Sequence, residues 1–223
     1  LMSTQEEITK AFEKFVSDRK EDEFIEAILK LDFWKSSQIS YPKERGEKKS
    51  EQNEFLNQLV EFALREPTLI LNLFVAITGM VEGGQRRRLV EALFRETRSW
   101  HISYHARARE LDKGRRNITE FIGDLYLHSL ISIGEIRASL DELMEYRKES
   151  HNASIATACV LLERVGEKFA LEERSQFAVK ETYEGRSVYA QLEKAKFSTE
   201  GKVREEIDTQ LRYQWMYTKD YDG

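Results

Sequence analysis

The chain has one cysteine, two prolines and eleven glycines in 223 residues, and each shortage narrows what it can be. A lone cysteine, Cys159, permits no internal disulfide framework, and it points to a reducing compartment, the cytoplasm. So few helix breakers favour a mostly helical chain, and no segment alternates apolar and polar residues between turn signals as a half-buried strand does. No apolar run approaches the roughly 20 residues that cross a bilayer, so no membrane partner is expected. Leu1-Met2-Ser3-Thr4-Gln5-Glu6 lacks the basic-then-apolar order of a secretory signal. The leucine before the methionine reads as an expression scar, which implies a domain cut from a longer protein. No phosphate-cradling glycine loop, zinc motif or nucleophile motif is present. The expectation is therefore a protein without enzymatic activity, cofactor or metal.

What is present is charge and helical periodicity. Charged residues make up 34% of the chain and the net charge is −5, so the whole does not read as a nucleic-acid coat. Apolar residues recur at three- and four-residue spacing in successive segments. Examples are Ile8, Phe12, Phe15 and Val16; Phe55, Leu56, Leu59 and Val60; and Ile136, Leu140, Leu143 and Met144. A second helix is expected to end near Phe33-Trp34, before a polar loop at about residues 35–49. Leu69 to Val81 is apolar nearly all round, as a helix buried between layers is. Gln85 to Ala108 reads as one long helix. Gly166 reads as a stop, Asn152 as an N-cap, and Leu171 to Tyr189 or Lys194 as a further helix. The count is about ten helices in roughly five antiparallel pairs. This predicts an all-α fold, a single domain over 1–223, in which each pair buries its second face on its neighbours.

Two sets of side chains stand out. Arg86, Arg87, Arg88, Arg107, Arg109, Lys113, Arg115 and Arg116 crowd one segment, with Trp100 and Tyr104 among them. They are candidates for binding RNA or an acidic partner through phosphate or carboxylate groups, with stacking on the aromatic rings. The competing reading is a solvated helix face whose arginines pair with nearby acids. Trp34, Tyr213, Trp215 and Tyr217 lie near helix ends and are candidates for protein-partner binding, or else cover the open ends of a helical stack. His101 and His105, four apart, have the spacing of a metal pair but no third ligand beside them. Cys159 lies on an apolar stripe and reads as core.

The middle of the chain carries a more specific signal. Ile118, Phe121, Ile122 and Leu125 mark one helical face, Gly123 sits inside the helix, and Ser132 with Glu135 forms a capping box for the next helix. The glycine implies that another backbone comes close, with this helix packed tightly between neighbours. Asn117-Ile118-Thr119-Glu120-Phe121-Ile122-Gly123-Asp124-Leu125-Tyr126 resembles the Asn-Ile-x-Phe-Ile-Gly-Glu-Leu-Phe signature of the middle domain of eukaryotic translation initiation factor 4G. The specific part covers about thirty residues. The resemblance implies a right-handed α-solenoid of about five helical hairpins, HEAT-like. It also implies a scaffold in translation initiation or messenger-RNA regulation that docks translation or messenger-RNA-binding proteins, a DEAD-box RNA helicase among them, and in some members RNA. Where the family has an Arg-Ile-Arg-Phe-Met-Leu run that helps hold the helicase, this chain has Lys202-Val203-Arg204-Glu205-Glu206-Ile207. The departure points to one of the smaller adaptor relatives, of the Mextli or poly(A)-binding-protein-interacting type, with altered helicase affinity. The alternative is a helical-repeat protein–protein adaptor unrelated to translation.

Overall fold

The computed structural model describes residues 4–31, 51–107, 113–145, 151–177 and 187–218. Among them lie ten helices and no strand: α1 Thr4–Asp18, α2 Glu21–Leu29, α3 Glu51–Ala63, α4 Pro67–Met80, α5 Gly83–Arg107, α6 Lys113–Leu127, α7 Ile133–Glu145, α8 His151–Phe177, α9 Val188–Lys196 and α10 Gly201–Thr218. The chain divides into two compact units, Leu1–Thr97 and Arg98–Gly223, with the division inside α5. The all-α class is the one that the apolar spacing predicts. The polar loop at 35–49 lies outside the described residues.

In the first unit, α1 packs on α2 and α3, and α4 packs on α2 and α3. Ile8, Phe12 and Phe15, spaced by four and three, put one apolar stripe of α1 into the core. Phe12 stacks on Phe62 of α3, ring centroids 3.7 Å apart and planes 2° from parallel, and meets Phe24 of α2 edge-on at 6.1 Å. Each such ring contributes about 1.5–3 kcal/mol by leaving water. α2 ends at Leu29, short of Phe33-Trp34: Leu31 N–H bonds the Ile28 carbonyl, a tightened final turn. Pro67 opens α4, where its missing N–H costs nothing. α4 is less enclosed than its composition suggests, because Val75 and Met80 are exposed while Leu69, Ile70, Leu73, Phe74 and Ile77 are buried. A surface has room for isolated apolar side chains, so composition alone overstates burial.

In the second unit, α8 packs on α6, α7 and α10, α7 packs on α6 and α9, and α9 packs on α10. The turn between α6 and α7 is tight for identifiable reasons. Leu130 N–H reaches the Leu125 carbonyl and Ser129 N–H the Tyr126 carbonyl, while Ser129 adopts φ +56°. This is a Schellman cap, with serine in the left-handed position that glycine usually fills. Ser132 and Glu135 then cap α7, Glu135 Oε2 accepting from the Ser132 backbone N–H at 2.6 Å and from its hydroxyl at 2.8 Å.

Gly166 ends a helical stretch, as the sequence predicts: the span of α8, His151–Phe177, is two helices meeting at Gly166, whose φ of 45° and ψ of −132° are open to glycine and closed to other residues. Asn152 falls inside the first turn of α8, a shift of the kind expected at frayed helix ends. The helix expected from Leu171 is thus the second half of α8, and α9 is separate. Its start is capped twice: Ala190 N–H donates to the Ser187 hydroxyl and Val188 N–H to Glu173 of α8, both at 3.0 Å.

Candidate partner-binding and nucleic-acid-binding residues

α6 carries the residues with the most specific sequence signal, and most of them are buried. Ile118, Phe121, Ile122, Leu125 and Tyr126 are each at most 1% exposed. Gly123 faces α8: a Cβ added there would meet Arg164 Cγ at 2.6 Å and Arg164 Cβ at 3.0 Å. What the glycine admits is therefore the stem of an arginine. Arg164 passes over Gly123 and its Nε donates to Asp124 Oδ1 at 2.5 Å, on a carboxylate whose side chain is 5% exposed. This charge-assisted hydrogen bond and the packing of the arginine stem hold α6 and α8 together.

Four residues on, Lys168 makes a second link. Its ammonium donates to the Tyr126 carbonyl at 3.0 Å and to the Ser129 hydroxyl at 3.2 Å, and lies 4.5 Å from the Tyr126 ring centre. A cation thereby satisfies a carbonyl at the negative end of α6. Burial pushes the Tyr126 phenol up from its ordinary value, with Glu172 adding to the shift. This region is packing chemistry.

The eight basic candidates differ in their surroundings. Arg86, Arg87 and Arg88 belong to the first unit, in the opening turns of α5, and are exposed. Arg87 pairs with Glu91 at 2.8 Å, an exposed contact worth a few tenths of a kcal/mol that a stronger partner displaces. That helix start carries no acidic residue in its first turn, so the arginines add to the positive end of the helix dipole. Lys113, in the second unit, is exposed. The Arg107 side chain and all of Arg109 lie outside the described residues.

Arg115 and Arg116 are corrected by their surroundings. Arg115 is fully buried, so it is not a surface contact for a phosphate chain, and burial pushes its guanidinium down to about 10. Arg116 is exposed but bonds Glu120 at 2.8 Å, and that bond, with Glu163 and Glu206 nearby, raises its pKa above the ordinary value. Three acids around one guanidinium make it a poor anion receptor.

His101 is also committed to the core. It is 3% exposed, and its Nε2 lies 3.1 Å from the Thr119 hydroxyl, which donates its own proton to the Arg115 carbonyl at 2.7 Å. A hydroxyl has one proton, so His101 must be the donor at Nε2. Burial first, then the charges of Arg115 and Arg98, push the imidazole down to about 3. The side chain is neutral at physiological pH, and its Nε2 is engaged in a hydrogen bond. Cys159 is 3% exposed, and burial, with Glu206 and Glu163 nearby, pushes the thiol up to about 12, which makes it a small core residue with negligible thiolate.

Of the aromatic candidates, Tyr213 on α10 is 39% exposed, beside Met216 at 55%. Trp34 and the side chains of Trp215 and Tyr217 lie outside the described residues. One bulky apolar group went unnoticed in the sequence: Phe197, the C-cap of α9, is 86% exposed. Its signal was legible, because Val188, Tyr189 and Leu192 set the buried stripe of α9 and a residue five beyond Leu192 falls off it. In the stretch compared with the helicase-holding run, Ile207 is buried while Glu205 is exposed and Glu206 half-buried. Compared with known proteins, the chain matches no family model, no curated protein and no solved structure.

Proposed function

We propose that this chain is a non-enzymatic scaffold, a HEAT-like right-handed α-solenoid that positions protein partners in translation initiation or messenger-RNA regulation. The observation that carries the reading is the order of helix neighbours. In the first unit α1 packs on α3 and α2 on α4, beside the sequential pairs α1–α2 and α3–α4; in the second α6 packs on α8, α8 on α10 and α7 on α9, beside the sequential pairs α6–α7, α7–α8 and α9–α10. Helices that pair with the next in sequence and stack on the next but one are what a two-layer helical repeat requires. Such repeats work by presenting an extended surface of rigid helices. The resemblance of residues 117–126 to the initiation factor 4G middle domain supplies the biological setting. Tyr213 and Met216 on α10, and Phe197, at the turn before it, are among the exposed apolar side chains of the described residues, with Val16, Val75, Met80 and Leu127 elsewhere.

The defining experiment is capture of a purified DEAD-box initiation helicase by the chain and by its Tyr213→Ala/Trp215→Ala variant. Capture that the double substitution abolishes supports helicase docking through α10. No capture by either protein removes the helicase from the proposal and, with it, the main argument for a role in initiation.

RNA contact is a secondary part of the proposal and now rests on Arg86, Arg87 and Arg88. Neutralising three phosphates on a single strand gives a slope of log K against log salt of about −2, and each arginine removed makes it shallower by about 0.7. Arg86→Glu/Arg88→Glu is therefore expected to flatten the salt dependence to a slope of about −0.7 and weaken binding. RNA binding by the double variant with unchanged affinity and slope would sink this part and leave the protein-scaffold reading standing.

A further inference from the structure

We draw no further inference here: the strongest candidate, the exposed Phe197 at the turn between α9 and α10, is flanked by charges of both signs (Lys194, Lys196 and Lys202 beside Glu193 and Glu200), with Lys196 paired to Asp208, and nothing in the structure shows what covers it.

Discussion

Replacing Gly123 by alanine should destabilise the second unit, although alanine is the better helix former. The new Cβ would sit 2.6 Å from Arg164 Cγ and 3.0 Å from Arg164 Cβ, against the 3.5–4.0 Å at which carbon atoms normally rest. The clash is near the backbone end of the side chain, so relief requires Arg164 to swing away, and its Nε then leaves Asp124. Helix propensity favours alanine by about 1 kcal/mol. Overpacking opposes it by about 1–3 kcal/mol, and loss of the hydrogen bond to a buried carboxylate by about 1.5–3 kcal/mol. The Arg164 side chain is 46% exposed, which places the last figure at the low end. A net loss of about 2 kcal/mol follows, roughly thirtyfold in the folding equilibrium. The measurement is urea unfolding followed by circular dichroism, repeated in an Arg164→Ala background. There the Cγ clash and the ion pair are already gone, and only a few tenths of an ångström of relaxation remain to be made. Gly123→Ala should then cost nothing or stabilise slightly. Equal effects in both backgrounds, or a single variant as stable as the parent, would refute the packing argument.

Three further outcomes are expected. His101 has a folded pKa near 3 against an ordinary 6.5, so the unfolded chain takes up its proton first. The stability this group contributes is complete above about pH 6.5 and is lost as pH falls toward 3. Linkage gives about 2 kcal/mol lost between pH 7 and pH 5. His101→Gln should remove that component, so parallel stability curves for the two proteins over this range would count against the neutral imidazole. Ser129→Gly should raise stability by about 1 kcal/mol, since glycine adopts the left-handed position at less cost than serine, and a fall in the urea midpoint would show that the Lys168 hydrogen bond dominates. Cys159, with a thiol near 12 against an ordinary 9.0, should react with a disulfide reagent at least about a thousandfold more slowly than an unfolded control at pH 8. Rapid labelling of the native chain would contradict its burial.

The helices were legible because apolar spacing is a local property that tertiary packing reinforces. Ile118, Phe121, Ile122 and Leu125 define the stripe of α6 with no knowledge of what lies opposite, and Ser132 with Glu135 announces the start of α7. Gly123 is a point of close approach, but what comes close is the side chain of Arg164 and not another backbone; that neighbour lies forty-one residues away, and spacing carries no such information. Arg115 shows a different failure. It lies three residues before Ile118 and seven before Ile122, in phase with the buried stripe, but its charge made it look like surface. Phase was the better guide than residue type. Arg116, one position on and out of phase, is exposed and surrounded by acids that come from α8 and α10 as well as from its own helix. Tertiary arrangement alone reveals such neutralisation. For the same reason a count of basic residues overstated the candidate RNA surface.

The break in α8 carries a mechanical consequence. Arg164 grips α6 on one side of Gly166, and on the other side Lys168 holds the end of α6 while Glu173 holds the start of α9. In a continuous helix an inserted residue rotates everything beyond it by about 100°, and these grips would be thrown off together. The non-helical Gly166 breaks the regular helix between those contacts, so the helical phase of the first half does not by itself fix that of the second. The two halves of α8 are thus anchored separately, Arg164 before the break holding Asp124 and, beyond it, Lys168 holding Tyr126 and Ser129 while Glu173 holds the start of α9.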